Sequence, residues 1–252
     1  MSIRSAILAQ TPDLYWPMQE LSGLTAVDAS AGAHNGSYRP NSVLGLPGPE
    51  VSTFALGCNG VQGGSPAVGP GVELLTGNPI GGISSYTFSV WITSGQYVGA
   101  PVNIINDGVL TSRGLGVYRD VDVIHLQFGG IGTLSTGASL SAGLWHNLVF
   151  TITPSVSENV YIDGALVFTT AAGIPIFPLA GDPLRVMGAT PDILCHAAFW
   201  LRALTAAQVA LLFSGRVNPQ ESNFTGRALT DIDLGVITDL LNQILKSVRK
   251  AY

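Results

Sequence analysis

Charged side chains are scarce in this sequence. Its 252 residues include 11 Lys and Arg and 16 Asp and Glu, so that 11% of the chain is charged, against about 25% in a typical soluble domain. The formal net charge is −5 at pH 7. Nucleic-acid recognition depends on clustered basic side chains that contact phosphates. The composition therefore argues against a nucleic-acid partner.

Long apolar runs are also missing, although the chain is apolar on average. Hydrophobic residues make up 46% of the sequence, and the mean hydropathy is +0.38. No uncharged apolar run reaches the roughly 18 residues that predict a membrane-spanning helix, so we expect no membrane insertion. This composition favours a surface that is covered by other subunits, and the alternative is a large, well-filled core.

Cysteines and catalytic motifs are few. Cys58 and Cys195 stand outside any metal-ligand spacing, so two buried thiols are favoured over a disulfide. The sequence contains no G-x-S-x-G, H-E-x-x-H, paired C-x-x-C or phosphate-binding loop. Its histidines occur singly: His34, His125, His146 and His196. We therefore predict a protein that is not an enzyme.

Residues 144–168 carry the clearest pattern in the chain. Over 144–153 apolar and polar residues alternate with a period of two, which is typical of a β-strand. Two further apolar runs, 160–162 and 165–168, are joined by Asp163-Gly164, the strongest short signal for a β-hairpin. We predict three consecutive antiparallel strands, with a turn over 154–159.

Short apolar runs separated by turn residues continue over most of the chain. They predict strands near 51–56, 72–75, 85–92, 102–106, 114–119, 123–128, 184–188 and 192–200, with turns at 106–108 and 129–130. Helical spacing over 2–10 predicts a short helix or turn. Thr205 and Gln208 form a capping-box pattern that begins a second helix. Many short strands with few helices indicate an all-β sandwich.

Several motifs resemble one known family. LYWPMQELSG opens the pattern at 14–23, DASAGAHNGSY follows at 28–38, SYTFSVWI stands at 85–92 and LRALTAAQV closes it at 201–209. Together with the W-H segment at 145–146 and the Asp-Gly hairpin, they resemble the laminin-G-like, concanavalin A-like jelly-roll sandwich. The resemblance implies an all-β jelly roll over 14–213, and the residues after it predict a short C-terminal helical tail.

The resemblance ends near residue 213, and the composition changes after it, so the chain divides into segments. We expect an N-terminal arm at 1–13, the sandwich at 14–213, a linker at 214–229 and an amphipathic helix at 230–252. Apolar residues recur in that helix at spacings of three and four, as in a heptad seam. We expect the helix to assemble the chain into a homotrimer, and the alternative is that it packs back on the sandwich. The seam consists of Leu234, Ile237, Leu241, Ile244 and Val248.

The polar loop at 28–35 is the first candidate for a metal site. Calcium takes several oxygen ligands, and Asp28 and Asn35 supply side-chain oxygens here. The alternative, which the residues favour, is an Asx-turn that satisfies local amides. We expect no cofactor other than calcium.

Candidate ligand-binding residues are Tyr97, Asn103 and Tyr118. Aromatic rings stack on sugar rings, and amide side chains bind hydroxyl groups. The alternative is that all three are ordinary strand and rim residues.

Relatives with the same opening motif are frequent among phage tail, fibre and head-surface proteins. The resemblance therefore implies a non-enzymatic phage virion surface protein, of the capsid decoration or spike type, that displays a carbohydrate-adhesion sandwich. Its partners would be other virion proteins and a cell-surface glycan. The first residues lack the apolar core of a signal peptide, so we expect synthesis in the host cytoplasm and a location on the virion. The alternatives are a receptor-binding tail protein, a stand-alone glycan-binding module and a glycoside-active enzyme.

Overall fold

The computed structural model describes residues 2–50, 53–58, 69–75, 78–79, 85–94, 101–109, 112–153, 156–171, 179, 181–189 and 192–214. All of them belong to one compact unit that ends at Pro219. The helices in these ranges are α1 (Ile3–Ala9) and α2 (Ala206–Ser214). The strands are β1 (Leu14–Trp16), β2 (Thr25–Ala26), β3 (Gly36–Tyr38), β4 (Ser42–Pro47), β5 (Phe54–Cys58), β6 (Gly71–Leu74), β7 (Tyr86–Thr93), β8 (Val102–Val109), β9 (Arg113–Asp120), β10 (Val123–Phe128), β11 (Gly132–Ser139), β12 (Trp145–Thr153), β13 (Ser157–Ile162), β14 (Ala165–Thr170), β15 (Leu184–Met187) and β16 (Ile193–Trp200).

These strands form two eight-stranded antiparallel sheets. Sheet A has the order β14-β13-β12-β7-β16-β5-β4, and β1 pairs with β16 beside this path. Sheet B has the order β11-β10-β9-β8-β15-β6-β3-β2. Two antiparallel sheets that share one core make a sandwich. The all-β prediction is confirmed, and so is the Asp-Gly hairpin, which joins β13 to β14.

The core lies between the inner faces of the two sheets. On sheet A, Phe88 is in register with Phe150 and Phe199, and all three are fully buried. On sheet B, Val117 is in register with Leu126, and both belong to the same apolar cluster. Each fully buried side chain of this size contributes about 1.5–3 kcal/mol to folding. Because side chains alternate between the two sides of a strand, the residues between these core positions lie on the outer faces of the sheets.

The two helices cover the outer face of sheet A. The Trp91 ring in β7 stacks on Phe213 of α2, with centroids 6.0 Å apart. The predicted capping box begins α2: the Gln208 amide donates to Thr205 Oγ1 at 3.3 Å, and the Thr205 amide donates to Gln208 Oε1 at 2.9 Å. Helix α1 contacts α2 and β16, and its Ile3 is fully buried. The N-terminal segment is thus part of the sandwich's packing.

Some predicted boundaries are wrong. The turn predicted at 106–108 lies inside β8, where Asn106 and Asp107 are buried and Gly108 takes up a φ of 106° within the strand. The predicted turn over 154–159 is too long, because β13 already begins at Ser157. Strand β11 was not predicted, because its polar, largely exposed residues show no apolar alternation.

Several predictions concern residues outside the described ranges. They are Tyr97 and the heptad residues Leu234, Ile237, Leu241, Ile244 and Val248. The homotrimer accordingly remains a prediction. Within the described ranges, neither helix has the length and apolar character that crossing a membrane requires. Cys195 is a buried free thiol, as expected.

Candidate binding face

The outer face of sheet B is polar and meets solvent along much of its length. In β10 the core residues Ile124, Leu126 and Phe128 are buried and alternate with half-buried residues. Because partners in register lie on the same side of a sheet, the strand pairings extend this outer row across β3, β6, β15, β8, β9, β10 and β11. We call this surface the polar face; it contains Ser37, Glu73, Asn103, Asn106, Tyr118, Asp120, His125, Gln127, Thr133, Ser135 and Arg185.

An aromatic pair stands on the polar face. Tyr118 in β9 is in register with His125 in β10, and their rings are stacked with centroids 4.8 Å apart and an interplanar angle of 14°. Asn103 in β8 is the register partner of Tyr118 on the other side. Two of the three predicted ligand-binding residues are therefore neighbours. His125 was not predicted, although it occupies one of the outward positions of a strand with strict alternation.

Glycines separate the aromatic pair from the part of the polar face that lies on β15, β6 and β3. Gly108 faces Gly114, and Asn106 faces Gly116, across β8 and β9. At Gly114, where φ is 102°, a Cβ atom would lie 2.0 Å from the carbonyl oxygen of Asp107. Only glycine allows so close a backbone approach. The three glycines and Asn106 are buried, so the prominent side chains of the face stand on either side of this strip.

An ion-pair cluster lies beyond the glycine strip. Glu73 Oε2 is 3.2 Å from Arg185 Nε and 3.3 Å from an Arg39 guanidinium nitrogen. Burial lowers the pKa of Arg39, and the Glu73 charge opposes that shift. Two guanidinium groups share one carboxylate here, in a protein whose net charge is −5. The cluster can donate hydrogen bonds to hydroxyl or acidic groups of a ligand.

The oxygens of the predicted calcium loop accept hydrogen bonds from backbone amides. Asp28 Oδ1 accepts from the amides of Tyr15 at 2.9 Å and Ser30 at 2.8 Å, and Oδ2 accepts from that of His34 at 2.7 Å. Asn35 Oδ1 accepts from the Asp28 amide at 2.9 Å. This is the arrangement of the Asx-turn alternative. In the part of the chain that the structure describes, no three His, Cys, Asp or Glu residues are grouped to hold a metal ion; calcium binding stays a prediction.

The W-H segment and the Asp-Gly hairpin are linked by a side-chain hydrogen bond. The Ser141 amide donates to His146 Nε2 at 3.1 Å, so the proton of the neutral ring lies on Nδ1 and is donated to Asp163 Oδ2 at 2.7 Å. Asp163 Oδ1 also accepts from the Asn147 amide at 2.9 Å. Both ring nitrogens of His146 are thus engaged, Nδ1 with the hairpin and Nε2 with the segment before β12, which argues for a structural role.

His196 is also held in a structural position. Its Nδ1 lies 2.6 Å from the Tyr15 hydroxyl oxygen, and it is 1% exposed. Burial, and to a smaller extent the charge of Arg4, lowers the pKa of His196 to about 3. The ring is therefore neutral at physiological pH and has no access to a substrate.

The two packed sheets and the polar outer face define a jelly-roll sandwich of the concanavalin A-like type. A laminin-G sequence profile described as the concanavalin A-like lectin/glucanases superfamily matches residues 63–210, which is more than half of the chain. The protein belongs to this family, and the predicted fold is confirmed. No curated sequence matches the chain.

Solved structures of toxin binding domains share the fold. The binding domain of Paraclostridial Mosquitocidal Protein 1 superposes with a TM-score of 0.63 at 14% identity, over 82% of this chain and 52% of that one. A structure of botulinum neurotoxin type C has a TM-score of 0.61 at 14% identity, over 82% and 52%. The botulinum neurotoxin DC binding domain in complex with SialylT has a TM-score of 0.59 at 17% identity, over 81% and 51%. The chain thus spans about half the length of these structures.

Proposed function

We propose that this domain is a non-enzymatic carbohydrate-binding module and that the polar face is its binding surface. The observation that carries the proposal is the stacked pair of Tyr118 and His125, with Asn103 beside it. An aromatic plane covers the apolar C–H face of a sugar, and amide and hydroxyl groups bind its polar edge. The polar face offers both kinds of group on rigid strands, which limits the entropy lost on binding.

The structural neighbours support a glycan as the ligand. Cell entry of botulinum neurotoxin type C is dependent upon interaction with two ganglioside molecules, and another neighbour was solved with SialylT. A third was solved in complex with rat synaptotagmin II, so a protein receptor is the second ligand class to test.

The spacing of carboxylates supports binding without hydrolysis. Glycosidases place two carboxyl groups about 5–10 Å apart. On the described polar face the carboxylates are Glu73 on β6 and Asp120 on β9. Strands β15 and β8 separate them, so their backbones lie at least three strand spacings, or about 14 Å, apart. Glu73 is also held between two arginines.

A glycan panel tests this proposal. We expect the full chain to bind a subset of immobilised glycans and Tyr118→Ala to weaken that binding at least about tenfold, which corresponds to about 1.4 kcal/mol. Leu166→Ala, at an exposed position in β14 of sheet A and outside the polar face, is the control and should bind like the parent chain. Equal binding by Tyr118→Ala, or binding to no glycan on the panel, would contradict the proposal. Sugar release from the panel would instead support the glycoside-active alternative.

The biological setting is a second part of the proposal. The opening motif at 14–38 and the low charged fraction support a phage virion surface protein of the capsid decoration or spike type, with other virion proteins as partners. Immunogold labelling of purified phage particles with an antibody to this chain tests it. Labelled heads would support decoration, labelled tails would support the receptor-binding alternative, and unlabelled particles would contradict a virion role.

Assembly through the tail completes the proposal. The heptad seam supports a homotrimer, because a helix of this length is marginal alone in water and must bury its apolar stripe. We expect light scattering to give a trimer mass for the full chain and a monomer mass after deletion of residues 230–252. An unchanged mass after the deletion would contradict assembly through this segment.

A further inference from the structure

Three ionisable side chains point into the core at one end of the sandwich. On sheet A, Tyr86, Ile152 and Glu158 stand side by side in register, on the same inner side as Phe88 and Phe150. On sheet B, Asp107 is in register with the core residues Leu115 and Leu184. The strand alternation therefore turns two carboxyl groups and one phenol inward.

These groups are buried and incompletely hydrogen-bonded. Tyr86 and Asp107 are 0% exposed, and Glu158 is 3% exposed. Asn78 donates to Asp107 Oδ1 at 2.7 Å. Asp107 Oδ2, Glu158 Oε2 and the Tyr86 hydroxyl oxygen have no hydrogen-bond partner in the described part of the chain. An ionised carboxylate in such a place is strongly unfavourable.

The charges around the cluster do not relieve this cost. Asp182 acts on Asp107 from the segment before β15, but its carboxylate is already paired with Arg113 through two contacts of 2.6 and 2.7 Å. Glu158 lies near the Tyr86 phenol, and the Glu158 charge acts on that phenol. Among the described residues, both carboxyls therefore face an acidic or neutral group and not a cation.

Burial governs how the cluster titrates. It raises the pKa of Asp107 to about 7, while the Asn78 hydrogen bond opposes the shift and the Asp182 charge adds to it. It also raises the pKa of Glu158 to about 7. Burial, followed by the charges of Asp107 and Glu158, raises the pKa of Tyr86, so the phenol stays protonated.

We propose that Tyr86, Asp107 and Glu158 form an interior proton-binding site, in which the folded sandwich holds both carboxyls protonated in mildly acidic solution. A protonated carboxyl is neutral and tolerates the apolar interior between the sheets. When both protons leave, two unpaired anions remain in the core, and this end of the sandwich is weakened. The ligand of this site is the proton, and the site is distinct from the polar face on the outside of sheet B.

The direction of the pH dependence follows from linkage. Both folded pKa values lie above the ordinary values of 3.8 and 4.5, so the folded state binds more protons than the unfolded state between about pH 4 and pH 7. The contribution to stability is fully present below about pH 4, declines as the pH rises towards 7 and is lost above that value. This is opposite to the behaviour of carboxylates that are paired in the folded state.

Thermal unfolding of the full chain between pH 5 and pH 8 tests the site. We expect Tm to fall by on the order of 10 °C over this interval. Glu158→Gln and Asp107→Asn place a permanently neutral amide at each position, so each should reduce the pH dependence and raise Tm at pH 8. Asp120→Asn, on the polar face, is the matched control and should keep the parent's dependence.

Two results would overturn the proposal. One is a parent Tm that is constant or rises from pH 5 to pH 8. The other is a pH dependence that neither core variant changes. If a variant fails to fold, a pH titration of the carboxyl ¹³C signals of the parent chain tests the proposal instead. The proposal requires two carboxyls that titrate near pH 7. Titration of every carboxyl below about pH 5 would contradict it.

Discussion

The outer faces of the two sheets differ, although both sheets are built from alternating strands. In β12 of sheet A the residues on both sides are buried, because α1 and α2 lie over the outer face. In β10 of sheet B every second residue is half-buried and none of the outward ones is fully covered. A sheet face that the chain covers itself contributes to stability, whereas a polar face left to solvent is available for a ligand.

The polar groups of the two outer faces have correspondingly different roles. On sheet A, Asn147 Nδ2 donates to Ser89 Oγ at 3.0 Å, and Thr87 Oγ1 donates to the Arg202 carbonyl oxygen at 2.9 Å. These donors are therefore hydrogen-bonded within the protein, beneath the helices. On sheet B, Tyr118 and His125 stack on each other and keep their polar atoms at a partly exposed surface.

Removal of a large side chain from the covered face should have the largest effect on stability. Trp91 is fully buried against Phe213, and Trp91→Ala should lower the free energy of unfolding by about 3–5 kcal/mol, measured by chemical denaturation. Leu166→Ala, at a position 52% exposed in β14 of the same sheet, is the control and should change stability by less than about 1 kcal/mol. A small effect of Trp91→Ala would mean that the helices do not hold this face.

A smaller effect should follow from a change beneath α2. Gly164 has a φ of 78°, and a Cβ atom there would lie 3.3 Å from the Ala210 Cα and the Phe213 Cβ. Gly137 has a similar φ of 68° but open space around it. Both Gly→Ala variants introduce backbone strain of about 1 kcal/mol. We expect Gly164→Ala to lose about 1 kcal/mol more, because α2 must shift. Equal losses in denaturation would argue against close packing of α2 on this hairpin.

The smallest effect should separate the Tyr118 ring from its hydroxyl. Tyr118→Phe keeps the aromatic plane, so glycan affinity should change by less than about threefold, or roughly 0.7 kcal/mol, in a binding titration. Stability should stay within about 0.5 kcal/mol, because the residue lies on the outer face. A loss as large as that of Tyr118→Ala would assign the affinity to the hydroxyl group and not to stacking.

The sequence predicted the parts of the fold in which polarity alternates or local capping is strong. The hairpin at Asp163-Gly164, strand β10 and the capping box at Thr205 all carry such local signals, and the structure confirms them. Strand β11 was missed because it is a polar edge strand whose pairing with β10 is set by tertiary structure. Asn106-Asp107-Gly108 has turn chemistry, but pairing with β9 and β15 keeps it in a strand.

Sequence reasoning found only part of the candidate sites. Asn103 and Tyr118 were predicted from residue type, and their adjacency depends on a register that no local pattern determines. His125 had the signal of an outward position in β10, but an isolated histidine has no motif. Asp107 and Glu158 were missed because both fall in predicted turns, where a carboxyl group is expected to face solvent. Only the register shows that both face the core.

Hydrogen exchange of the full chain, with and without a glycan selected from the panel, tests the central claim most directly. If the polar face binds the ligand, amides of β8, β9 and β10 should exchange more slowly in the complex, while those of α2 and β12 stay unchanged. Slower exchange confined to α2, β12 or the hairpin at Asp163-Gly164, with β9 and β10 unaffected, would contradict the claim.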